Sequence, residues 1–178
     1  MITVLKFGGT SVQDSAAITR LVEIVQSRPE KKLVVVSALA RVTDALVKLS
    51  ELCENGEAKS ALNLVHEIHL RHKEVARDLA LSQAKLELLD TLFNGLGTMV
   101  TGLTTIREVS PRSRDQLMAV GELASSYLVL GAFKQAKMKV SWADARKYLV
   151  TNSDFTFAQV NFDATNKKIN ESLKPMLA

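Results

Sequence analysis

The chain has 178 residues, 47% of them hydrophobic and 24% charged, with 8 glycines and 3 prolines, the make-up of one globular domain with its own core and not of a disordered chain. A formal charge of +4 suits an anionic ligand, but the basic residues are dispersed and only 5% of residues are aromatic, so nucleic acid is not an expected partner. No unbroken apolar run reaches the roughly 18 residues of a bilayer span and no basic-then-apolar leader is present, while a single cysteine, Cys53, rules out an internal disulfide; a cytoplasmic setting without a membrane partner is expected.

Ile2 to Phe7 is short, rich in β-branched residues and stopped by Gly8-Gly9, which predicts a buried strand running into a tight loop. Asp14 or Ser15 then caps a helix with Ile18, Leu21, Val22 and Val25 on one face, ended by Pro29. Leu33 to Ser37 reads as a second strand, and a strand, helix, strand crossover of this length implies a parallel, right-handed pair. Thr43 is a plausible N-cap for a helix carrying Leu46, Leu49 and Leu52. From about 57 to 108 the pattern is helical: Val65, Ile68, His72, Val75 and Leu79 share one face, and Leu86, Leu89, Phe93, Leu96, Val100 and Leu103 recur at three and four, predicting a helical hairpin. A further helix is expected from near Arg114 to about Ala136, then a short strand Lys139-Val140-Ser141-Trp142, a loop over 151–157 and a last helix from about Ala164 to Leu173.

The segment richest in chemistry is Lys6-Phe7-Gly8-Gly9-Thr10-Ser11. Glycines between a buried strand and a helix let backbone N–H groups approach a phosphate, and a lysine adds positive charge where phosphoryl oxygens gain negative charge. It matches neither the G-x-x-x-x-G-K-[ST] nor the G-x-G-x-x-G pattern, and a Gly-Gly pair alone is equally a structural turn.

Lys6 to Val12 resembles the N-terminal signature of aspartate kinases, within the amino acid kinase superfamily. Two later segments agree in order: Val34 to Asp44 is similar to the family's second strand and its Ser-Ala-x-x-Gly-x-Thr-Asp/Asn loop, and Asp115 to Ser125 to its Gly-Glu helix. Trp142 to Arg146 and Thr151 to Phe155 resemble the succeeding strand and substrate-side loop, so the likeness covers essentially the whole chain.

The resemblance implies a three-layer α/β/α sandwich with a mostly parallel sheet, of which this chain is a part, carrying the helical hairpin as an insertion. It implies transfer of the ATP γ-phosphoryl group to the β-carboxylate of L-aspartate with Mg²⁺, the first step toward lysine, threonine and methionine. Lys6 is the implied catalytic residue, stabilising the transferring group; Gly8, Gly9, Thr10 and Ser11 would meet the phosphates. Ser37, Ala38 and Thr43 would line the amino-acid site, and Glu122 would pair with the substrate α-ammonium. Outside this context Glu122 is an ordinary solvated helix glutamate.

Two positions depart from the pattern: Arg41 stands where glycine is most common, and Thr156 follows Phe155 where the family has Phe-Gly. The family's Gly-Arg-Gly-Gly-Ser-Asp segment, its nucleotide-binding half and its ACT regulatory domains are absent, so residues 1–178 are expected to be the N-terminal portion of a kinase domain, weakly active or inactive alone, with an exposed sheet edge that self-associates. The full-length parent is expected to be a homo-oligomer. A kinase for another acid such as glutamate, and a non-catalytic amino-acid or phosphate-binding module, are the alternatives. His66, His69 and His72 recur at three, spread over about a third of the helix circumference and have no cysteine nearby, so no metal site is expected; Cys53, on an apolar face, reads as an inert small hydrophobe.

Overall fold

The computed structural model describes residues 2–177. Strand β1 (Ile2–Phe7) leads through a 3-10 turn at Gly9–Val12 into α1 (Ser15–Gln26), and β2 (Lys31–Val36) returns parallel to β1, pairing Ile2 with Lys31 through Phe7 with Val36. Asp14 caps α1 by accepting from the Ala17 amide at 2.7 Å, and Ile18, Leu21, Val22 and Val25 are buried, as the apolar spacing predicts.

Period-two alternation gives this sheet two different faces. Leu5, Phe7, Val34 and Val36 point into the core, whereas Ile2, Val4 and Val35 point out and are exposed, Val4 by 61%. The helices pack on the first face, and the second leaves Ile2, Val4 and Val35 exposed.

Helices α2 (Val42–Glu54), α3 (Ala58–Asp78), α4 (Gln83–Ile106) and α5 (Pro111–Gln135) form the rest of the core. The expected hairpin is α3 and α4. His69 stacks on Phe93 with ring centroids 4.8 Å apart, and Asp90 of α4 accepts from the Lys73 ammonium at 2.7 Å. α5 starts with Pro111 in its first turn, where no intrahelical N–H is needed, and Ser110 caps it. It is the one described helix long and apolar enough to cross a membrane, but half of that stretch lies buried, with Leu117, Ala124 and Leu128 fully inside the core.

Three local expectations are corrected. The first turn of α2 begins earlier than Thr43: Arg41 is the N-cap residue, with no side-chain cap bond. Residues 139–142 form no strand, because no neighbouring strand offers them a ladder; side chains hold the segment instead, the Trp142 indole N–H donating to Ser126 Oγ at 3.0 Å and its ring tilting against Tyr127. The last helix forms without a break but starts earlier and runs further than expected, as α6 (Phe162–Lys168), a π turn at Ile169–Leu173 and the short α7 (Lys174–Met176), with Asn161 as the leading cap.

Candidate active site

The three sequence segments expected to share one site meet at the C-terminal end of the two strands. The Ser37 amide donates to the Phe7 carbonyl at 3.1 Å, which carries the β1–β2 pairing one step past β2 and sets the two following loops side by side. Gly9 lies directly against the second loop: a Cβ there would sit 3.1 Å from the Ala38 carbonyl oxygen and 3.5 Å from the Ala40 Cα. The glycine serves close backbone approach. Gly121 does the same from α5, where an added Cβ would meet the Ala38 Cβ at 3.0 Å and Val42 Cγ1 at 3.1 Å.

Lys6 is exposed at the end of β1, and its Nζ lies 3.7 Å from where a Cβ on Gly8 would be, so the ammonium hovers beside the glycine pair. Thr10 and Ser11 are exposed in the 3-10 turn, which the Ser11 amide closes onto the Gly8 carbonyl at 2.9 Å. Ser37 is half-buried, Ala38 buried and Thr43 exposed in the first turn of α2. Glu122 is exposed on α5, one residue beyond the glycine that seats the helix on the Ala38 loop. Lys6, Gly8 and Gly9 are thus grouped with the Ala38 loop, while Glu122 is brought to them by its helix, through the neighbouring Gly121.

Both departures from the family pattern fall on left-handed backbone. Arg41 has φ 66° and ψ −2°, so the loop keeps the conformation that a glycine would adopt without strain. Thr156 has φ 70°, and its amide donates to Asp115 Oδ2 at 2.9 Å, docking the 151–157 loop on the start of α5 beside the Arg112–Phe155 cation–π contact.

The three histidines do not converge. His66 is exposed; His69 Nε2 comes within 2.8 Å of Asp90 Oδ1, off the line a hydrogen bond needs; His72 is fully buried with Nδ1 2.7 Å from the Ile68 carbonyl. Burial pushes His72 down to about 4, so it is neutral, with Nδ1–H the donor to Ile68. Burial also lowers His69 against the opposing pull of Asp90, and raises the Cys53 thiol, in keeping with an inert side chain.

One residue of this region carried no sequence signal. Arg71, on α3, donates from Nη1 to the Ala40 carbonyl at 2.7 Å and from Nη2 to the Gln13 carbonyl at 3.2 Å. Nothing in helical periodicity distinguishes it from a solvated arginine.

A parallel β-α-β start, with both following loops and a buried helix packed together at the strand ends, defines an α/β protein of the kind that places ligands beyond the carboxyl ends of its strands. The profile of the amino acid kinase family matches residues 1–175, and the chain belongs to that family. Lysine-sensitive aspartokinase 3 of Escherichia coli is 32% identical over 181 residues, covering 99% of this chain and 38% of that enzyme. Aspartokinase 2, chloroplastic, of Arabidopsis thaliana is 28% identical, covering 96% of this chain and 31% of that one. Crystal structures of E. coli aspartokinase III superpose over 99% of this chain at 31% identity, with TM-score 0.90 for the complex with lysine and aspartate and 0.88 for that with aspartate and ADP. The chain spans 38% of the length of those solved chains.

Proposed function

We propose that this chain is the N-terminal portion of an aspartate kinase catalytic domain, which transfers the γ-phosphoryl group of ATP to the β-carboxylate of L-aspartate to give 4-phospho-L-aspartate. A carboxylate oxygen forms the new bond to phosphorus, the bond from phosphorus to the β,γ-bridging oxygen breaks, and ADP leaves with that electron pair. The nucleophile is already an anion, so no general base is needed, and catalysis rests on alignment and charge screening. The observation that carries the reading is the meeting of Gly9, Ala38 and Gly121, which joins the three segments that resemble the aspartate kinase signature. The likeness to an aspartokinase solved with aspartate and ADP supports the same substrate pair.

In this scheme Lys6 offsets charge on the transferring group and Gly8, Gly9, Thr10 and Ser11 meet the phosphates. Ser37, Ala38 and Thr43 line the amino-acid side, with Glu122 pairing with the α-ammonium. Mg²⁺ would enter with ATP, held mainly by the phosphate oxygens and water, and would screen charge on the transferring group; every role named above belongs to the chain's own residues. The reading extends to a homo-oligomeric enzyme early in lysine, threonine and methionine formation, in a reducing, cytoplasmic setting that the free, buried Cys53 suits.

The test is calorimetric titration of the chain with L-aspartate and L-glutamate. Binding of aspartate, preferred over glutamate and lost in Glu122→Ala, is expected; equal binding of both acids, or none, overturns the assignment. A coupled ADP-release assay on residues 1–178 should show weak turnover or none.

A further inference from the structure

We propose that Arg71 is a positioning residue that fixes the separation of the two loops on which the function proposed above rests. Its guanidinium stands between them. One nitrogen holds the Ala40 carbonyl of the Ser37–Thr43 loop and the other the Gln13 carbonyl at the exit of the glycine turn, contacts that reach 31 and 58 residues along the chain. A planar, always-charged fork is suited to two fixed acceptors, where an ammonium is a single point charge.

The place of the clamp gives it leverage. Ala40 precedes Arg41, so the held carbonyl belongs to the peptide that enters the left-handed turn, and Ala40 is also among the atoms against which Gly9 packs. The base of the clamp is stiff: two residues on, Lys73 is tied to Asp90 of α4, and the adjacent His72 is fully buried against Phe93. The helical hairpin thereby acts as a brace for the site, with Arg71 as its point of attachment. Gln13, Ala40, Arg41 and Arg71 line one polar cleft with Glu74 and Asp78, so the fork is accessible on its open side. Phosphoryl transfer between two separately held anions depends on their alignment, and a shift of about 1 Å between the loops is enough to cost about a hundredfold in rate.

The experiment compares the parent chain with Arg71→Met and Arg71→Lys by amide hydrogen exchange with peptide resolution, together with L-aspartate titration. Arg71→Met should raise exchange about tenfold in both peptides, 8–14 and 37–43, and leave those of α4 unchanged, with a matching drop in aspartate affinity. Arg71→Lys should restore one loop more than the other and recover part of the affinity. Faster exchange in neither loop or in one only, a uniform rise across α3 and α4, or loosened loops with unaltered affinity overturns the clamp. If the parent chain binds no aspartate, the proposed function fails on its own and exchange alone decides the clamp. If Arg71→Met does not fold, the Lys variant decides: parent-like exchange in both loops overturns the role.

Discussion

The carbonyl oxygen of Ala38 occupies the space that a side chain on Gly9 would need, 3.1 Å from the missing Cβ. Both partners are backbone, so neither can rotate away. Gly9→Ala should therefore push the two loops apart by a few tenths of an ångström, lowering stability by about 1–2 kcal/mol and weakening L-aspartate binding. Differential scanning calorimetry and titration check both, and a variant indistinguishable from the parent in each would remove the reason for a glycine there.

Gly121 tests the same junction from the other side. Its neighbours are the side chains of Ala38, Val42 and Leu46, all buried, so Gly121→Ala should cost about 1–3 kcal/mol as overpacking and Gly121→Val more. Thermal unfolding orders the three proteins, with aspartate affinity expected to fall in the same order. An unchanged melting temperature for the valine variant would mean that α5 is not seated as described.

Arg41 and Thr156 hold left-handed backbone without being glycine. That conformation costs an L residue about 1–2 kcal/mol, partly offset by the extra chain entropy that glycine loses on folding. Thr156→Gly should stabilise by about 1 kcal/mol and Arg41→Gly by somewhat less, while alanine at either site should give little. Chemical denaturation measures the difference; destabilisation by both glycines would contradict the backbone assignment.

How much of this could be read from the sequence follows the range of the interactions. The first strand, helix and strand are written in local patterns, short β-branched runs, an Asp cap and a helical stripe, and all three formed, but the strand expected to be buried is covered on one face only and the second strand runs Lys31–Val36 instead of Leu33 to Ser37. The glycine turn, the Ala38 loop and the Gly-Glu helix were recognisable one by one because each is a contiguous motif. The left-handed backbone of Arg41 was signalled only by its standing where the family has glycine, since local preference disfavours that conformation in arginine and the surrounding loop imposes it. Arg71 was hidden for another reason: its partners are backbone carbonyls, which leave no trace in residue identity. Lys139 to Trp142 has strand-like composition, yet a strand exists only where a neighbour pairs with it.

Acid should unfold the chain through His72. Its folded pKa, about 4, lies below its ordinary value of 6.5, so the unfolded state binds the proton first and stability falls as pH drops from about 6.5 toward 4. The full difference is roughly 3 kcal/mol. His69 adds in the same direction, while Asp90, held down first by the Lys73 hydrogen bond, loses its contribution only below the usual carboxylate range. Melting temperature should decline between pH 7 and pH 5, and in His72→Gln, even if less stable throughout, the slope should flatten. Equal slopes would exclude His72 as the cause.

The exposed apolar residues of the second sheet face make self-association the expected state at high concentration. Ile2, Val4 and Val35 are exposed together, and in a two-stranded sheet both strands are edges. Light scattering coupled to gel filtration should show mass rising with concentration, and Val4→Lys with Val35→Lys should abolish the rise. A parent chain that stays monomeric at every concentration would count against it.

The α3–α4 hairpin also has a temporal consequence. Its rings and ion pair join residues about twenty positions apart, such as His69 with Phe93 and Lys73 with Asp90, whereas Arg71 must find Ala40 across 31 and Gln13 across 58. Contacts close along the chain form sooner. In pulse-labelled refolding the hairpin amides should become protected ahead of those in the glycine turn, so the brace would stand before the loops it steadies have taken their places.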